Sequence, residues 1–190
     1  DDKGFFFRTA PSDARGGQVL ADITKDRKVK SVAITYTNND YGKGLADVYE
    51  AAVKAHGIKV TTVSAHEDGK ADYSSEVATL AAAGGDAVAV IGYLDQGGKG
   101  IIQGSLDSGA FDKFILSDGM IGDSLTEAFG KDLNKSFGSI PGSMNKKTAG
   151  TFASVAKAAG IDKAPGDFDY PYSIYFDGGS LVLGDKTVGQ

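Results

Sequence analysis

The chain has 190 residues, a length suited to one domain, or one domain with a small appendage, and able to bury its own core. It has no Cys, 2 His and a formal net charge of −5. That excludes disulfides and thiolate chemistry, leaves a zinc site without its usual donors, and offers nucleic acid no basic stripe, since Lys and Arg are scattered.

No apolar run approaches the ~20 residues needed to span a bilayer. The opening Asp1-Asp2-Lys3 carries no secretion signal. A mature exported protein has lost such a signal in any case.

Taken in order, Phe5-Phe6-Phe7-Arg8 reads as an extended lead into a helix over about 18–24. Val32-Ala33-Ile34-Thr35-Tyr36 is the first strand, because a fully buried parallel strand is a short, near-continuous apolar run. Leu45, Val48, Tyr49, Ala52 and Val53 then recur at helical spacing, and His56-Gly57 ends that helix with Gly in the left-handed position. Residues 59–63 form the second strand. Asp72 is placed to cap a helix that Gly84-Gly85 stops. Residues 87–91 form the third strand, 98–108 a helix, 114–116 the fourth strand and 122–129 a helix. A weaker fifth strand falls at 137–140, and a last helix over 148–159 closes at Gly160. The tail changes character. Residues 169–176 and 181–183 flank Asp177-Gly178-Gly179-Ser180 and read as a β-hairpin.

Strand and helix alternating at this rhythm mean βαβ units. The expected fold is a three-layer αβα domain, flavodoxin-like or Rossmann-like, with a mostly parallel sheet of order 2-1-3-4-5 and the C-terminal hairpin appended. The whole chain, 1–190, forms that single domain.

Ligands of such sheets sit beyond the carboxyl ends of the strands. The residues that follow each strand there include Tyr41, Tyr93 and Asp118. Two tyrosines and an acid suit a small zwitterion: the carboxylate pairs an ammonium, and the rings pack an apolar side chain or face the cation. A plainer reading makes Tyr41 a turn residue and Asp118 the cap of the helix from Gly122.

Catalytic and cofactor patterns fail. Gly92 and Gly97 have phosphate-loop spacing, but Gly98 displaces the Lys and Gly100 stands where Ser or Thr is needed. Gly42-Lys43-Gly44 lacks the third Gly of a dinucleotide fingerprint, since Asp47 stands there. No GxSxG elbow starts a hydrolase triad. Asp40 and Asp95 lie inside loops rather than at strand ends. His66 is expected in a polar, exposed turn and His56 at a helix end, both structural. No enzyme, cofactor or metal is expected.

These motifs carry a family resemblance. The opening FRTAPSD (7–13), then NNDYGKGLAD (38–47), DGKADYSSEV (68–77), GYLDQGGKGII (92–102), GAFDKFILSDGMIGDSL (109–125) and FGSIPG (137–142) resemble branched-chain amino acid ABC-transporter substrate-binding proteins. These are LivJ-like, type I periplasmic binding proteins. The resemblance implies a periplasmic, two-lobed clamshell that passes a captured amino acid to a membrane permease. It implies that this chain is the second lobe alone, with Tyr41, Tyr93 and Asp118 as that lobe's ligand contacts. It also implies a departure. The family's chain crosses back to the first lobe after the helix ending at Gly160, whereas residues 161–167 here join directly to the tail. That points to an excision joint, and to weak or lost affinity in a one-lobe form, with self-association through the uncovered face. Two alternatives remain: a flavodoxin-like cofactor or nucleotide carrier, and an engineered folding scaffold made from one lobe.

Overall fold

The computed structural model describes residues 12–141, together with Ala158 and the strand Leu181–Val182. Helix α1 (Asp13–Asp26) starts where Ser12 turns its hydroxyl back to accept from the Arg15 amide at 3.4 Å. Strand β1 (Ser31–Thr37) leads into α2 (Asp40–Ala55). There Asn39 caps more tightly, its carboxamide oxygen accepting from the Gly42 amide at 2.7 Å. Strand β2 (Lys59–His66), α3 (Ser74–Ala83), β3 (Ala87–Ile91), α4 (Lys99–Ser108) and β4 (Phe114–Leu116) follow. Helix α5 (Asp123–Phe129) and the short β5 (Phe137–Gly138) complete the continuous part, and Leu181–Val182 is β6.

The strand order is β2-β1-β3-β4-β5-β6. The first five strands run parallel in the expected order, and β6 lies antiparallel on β5. Strand β6 therefore pairs with β5 at the sheet edge. The other arm expected for the hairpin, residues 169–176, lies outside the described residues, as do the lead segment 5–8 and, apart from Ala158, the helix over 148–159.

Strand β3 explains the layering. All of its residues are buried, and they alternate between the sheet's faces. Val88 and Val90 point toward α3, α4 and α5, where they meet Leu80, Ile101, Ile102 and Leu125. Ala87, Ala89 and Ile91 point toward α1 and α2, where they meet Leu20, Leu45, Tyr49 and Val53. A strand covered on both faces needs the continuous apolar run that the sequence supplies.

The α1–α2 layer contains one polar bridge. The Tyr49 hydroxyl donates to Thr24 Oγ1 at 2.9 Å, and Thr24 in turn donates to the Leu20 carbonyl at 2.7 Å. Both side chains are fully buried, and burial raises the Tyr49 phenol above its ordinary value. Tyr49→Phe keeps the ring and deletes one buried hydrogen bond, so it is expected to cost about 1 kcal/mol, read as a lower midpoint in urea unfolding.

Two local expectations shift. Asp72 does not cap α3 directly. It stands one residue further out, where its carboxylate accepts from the Ser74 amide at 3.0 Å and the Ser74 hydroxyl at 2.6 Å. Helix α4 is preceded by a π-helical turn, Leu94–Gly98, whose Gln96 and Gly97 leave helical geometry. That turn matters for the site.

Candidate functional site

The carboxyl ends of β1, β3 and β4 bring the site together. At the end of β1 the chain turns sharply into α2. A Cβ on Gly42 would lie 2.2 Å from the Thr37 carbonyl oxygen, so only Gly lets the helix start this close to the strand. The turn places Tyr41 in the first turn of α2, over the sheet edge.

At the end of β3, Gly92 has φ +137° and Tyr93 follows. At the end of β4, Ser117 donates to and accepts from the Gly92 backbone (3.3 and 3.0 Å), and Asp118 opens the short 3-10 turn Asp118–Met120. Gly119 is needed here as well: a Cβ would lie 2.3 Å from the Gly92 carbonyl oxygen and 2.9 Å from the Tyr93 ring.

The three candidate residues, far apart in sequence, meet at this edge. The Tyr41 hydroxyl donates to the Asp118 carboxylate. The Tyr41 and Tyr93 rings lie 4.9 Å apart, tilted by 38°. Tyr93 is 40% exposed, so it remains accessible from solvent. Burial, with the Asp118 charge second, raises the Tyr41 phenol above its ordinary value. It therefore stays a neutral donor. An ionised Asp118 has more lone-pair sites than the one hydroxyl occupies and can accept from a cation as well. The plainer reading of Asp118 as the cap of the next helix does not hold. Helix α5 starts from Gly122 without a side-chain cap, and the Asp118 side chain goes to Tyr41 instead.

Depressions flank this edge on both sides. One is lined largely by apolar groups, Val19, Leu20, Leu45 and Ile140, with Ser117 and Asp118 at its margin. The other lies beyond Tyr93 and is more polar, with Asp95, Gln96 and Ser124 in its wall.

The sequence reading of His66 is corrected. It is not an exposed turn residue but the last residue of β2, 1% exposed. Its Nδ1 lies 2.9 Å from the Thr35 hydroxyl and its Nε2 3.1 Å from the Thr37 hydroxyl. Burial pushes its pKa down to about 4. The strand runs past residue 63, because the β1 pairing continues through Ala65 and His66. Thr37 and Gln96 had no sequence signal as site-supporting residues. Their roles depend on β1, β2 and the 94–98 turn converging in space. His56 does sit at a helix end, with Nε2 2.7 Å from an Asp22 carboxylate oxygen.

A profile described as periplasmic binding protein matches residues 1–173. The chain belongs to this family. Among its relatives, a Leu/Ile/Val-binding protein homolog of Brucella melitensis is 38% identical over 93 residues, which is 48% of this chain and 25% of that protein. Two solved structures share the fold. The leucine binding protein LivK of Thermotoga maritima gives a TM-score of 0.68 at 21% identity, covering 83% of this chain and 46% of that one. The branched-chain amino acid transporter substrate binding protein LivJ of Streptococcus pneumoniae, solved with isoleucine, gives 0.63 at 20% identity, covering 82% and 45%. The chain thus spans a quarter of the Brucella relative and under half of either solved structure. By name these relatives are binding proteins rather than enzymes, and the family is one of periplasmic binding proteins.

Proposed function

We propose that this chain is one lobe of a non-catalytic periplasmic receptor for a branched-chain amino acid, or a related small acid or amide, that serves the permease of an ABC importer. The observation that carries the reading is the Asp118 carboxylate beside the adjacent, mutually tilted Tyr41 and Tyr93 rings at the sheet's carboxyl edge. The ligand ammonium lies against Asp118, the rings pack its aliphatic part, and a second lobe supplies the groups for its carboxylate. The names of the relatives, and the isoleucine in the LivJ structure, support this ligand class.

Recognition in such a receptor comes from closure of two lobes around the ligand. One lobe keeps part of the contacts, so affinity falls by something on the order of 4 kcal/mol, about a thousandfold.

The test is a thermal-shift and calorimetric titration of the chain with leucine, isoleucine and valine, using FMN as control. A shift with an amino acid is expected only at millimolar concentration, and Asp118→Ala is expected to abolish it. An FMN shift, or an amino acid shift that Asp118→Ala leaves intact, would overturn the reading.

A further inference from the structure

The Tyr93 turn is held from beneath by a buried polar cluster outside the candidate ligand contacts. Its centre is the Thr37 hydroxyl, which has one hydrogen and two lone pairs. It donates to the Gln96 carbonyl at 3.2 Å and accepts from the Tyr93 amide at 3.3 Å. Its remaining bond, to His66 Nε2 at 3.1 Å, must therefore be one that it accepts. Nε2 carries the hydrogen, and Nδ1 accepts from the Thr35 hydroxyl at 2.9 Å. Counting donors in this way puts a hydrogen on Nε2, and burial, which keeps the ring neutral, leaves Nδ1 as the acceptor, with both nitrogens used.

The turn sits directly on this cluster. A Cβ on Gly97 would lie 2.7 Å from His66 Cδ2, and one on Gly92 would lie 2.0 Å from Thr37 Oγ1. The Asn39 side chain adds an outer tie, its amide nitrogen donating to Gln96 Oε1 at 3.2 Å. The turn cannot move without breaking bonds that end on Thr37 or Asn39.

We propose that His66 is a positioning residue for Tyr93, acting through the Thr37 hydroxyl: the imidazole orients that hydroxyl so that it holds both ends of the Tyr93–Gln96 turn. The inference rests on the reading of Tyr93 as a ligand contact for its functional meaning, though not for its geometry.

Acid acts on this cluster from the far side of the ring, through Thr35, since the Nε2–H bond to Thr37 is made in both protonation states. Protonation at Nδ1 places a donor against Thr35, and the fully buried Thr35 hydroxyl must turn its hydrogen away. The groups facing the ring are few. Strand β1 brings only the two threonine hydroxyls, and the turn brings the Gln96 carbonyl. Helix α3 brings Glu76, which pairs with Lys70, and Glu67 follows His66 in sequence with its carboxylate accepting from the Asn38 side chain. Tyr73 stands edge-on with its ring centre 6.3 Å away. Both carboxylates favour the charged ring, but burial outweighs them.

The experiment is NMR on the full 190-residue chain. It reads the Tyr41–Tyr93 ring NOEs and the Tyr93 amide shift in wild type, His66→Gln, His66→Phe and Thr37→Val. A Gln side chain can accept from Thr35 and donate to Thr37 without titrating, so it is expected to keep wild-type NOEs at pH 7. The Phe and Val variants are expected to lose at least half the NOE intensity while still melting cooperatively. If the Phe variant does not fold, Thr37→Val decides. Lowering the pH toward 4 is expected to weaken the NOEs in wild type and not in His66→Gln. Wild-type NOEs in Thr37→Val, or the same acid response in wild type and His66→Gln, would overturn the proposal. Leucine titration is scored separately. Failure of wild type to bind leucine, with the NOE pattern as expected, strikes at the ligand reading and leaves the positioning role standing.

Discussion

Gly92→Ala is expected to lower the melting temperature by roughly 10 °C. The residue has φ +137°, a region that L side chains rarely occupy. The added methyl would also lie 2.0 Å from Thr37 Oγ1, 2.6 Å from Thr37 Cβ and 3.1 Å from the Thr37 amide nitrogen, all on a buried residue. Backbone strain of this kind costs about 1–3 kcal/mol, and overpacking a close-packed site a further 1–3. A total near 4 kcal/mol corresponds to about 8–16 °C for a domain of this size. Any relief must come from Thr37 swinging away, which breaks its bonds to Tyr93, Gln96 and His66 together. Gly44→Ala is the control. That residue lies inside α2, its Cβ would meet nothing within 4 Å, and alanine there should add up to about 1 kcal/mol. Differential scanning calorimetry of the two variants decides. A Gly92→Ala protein melting within two degrees of wild type would mean that the turn is loosely held.

Much of this fold was legible because each strand is a local signal. The run at 87–91 has no polar residue to confuse its assignment, and it proved to be the strand buried on both faces. Helix α2 was legible because Leu45, Tyr49 and Val53 keep one face, and Gly57 stops it at φ +76°. The site was legible to the extent that topology puts the residues after β1, β3 and β4 at one edge. That rule led to Tyr41, Tyr93 and Asp118 without any knowledge of their distances. It could not show that Tyr41 donates to Asp118, because that contact spans 77 positions. His66 was misread for a physical reason. Glu67, Asp68, Gly69 and Lys70 follow it, a polar stretch that reads as a turn, while the burial of His66 comes from β1 and the 94–98 turn covering it from elsewhere in the chain.

Acid is expected to destabilise the wild-type fold well above the pH at which its carboxylates titrate, and His66 is the cause. Its folded pKa, about 4, lies below the ordinary value of 6.5. Above pH 6.5 the ring is neutral in both states and its contribution to stability is complete. Between pH 6.5 and 4 the unfolded chain takes up a proton that the folded chain refuses, so stability falls by about 1.4 kcal/mol per pH unit. Below pH 4 both states are charged, and this loss levels off near 3 kcal/mol. Asp72, Glu76 and Asp86 are shifted downward as well, but from lower starting values. Hydrogen bonds from Ser74, Lys70 and the Lys30 amide respectively hold their carboxylates below the usual range. Their contributions are present above the unfolded carboxylate values near 4 and are lost at lower pH still, so they barely overlap the histidine window. Urea unfolding of wild type and His66→Gln at pH 7, 6, 5 and 4.5 separates the two effects. The variant starts from its own stability at pH 7 and should change little down to pH 5, while wild type should lose about 2 kcal/mol over the same interval. Parallel pH dependences for the two proteins would show that the imidazole titrates normally in the fold, and would remove the electrostatic reason for a neutral ring beneath the Tyr93 turn.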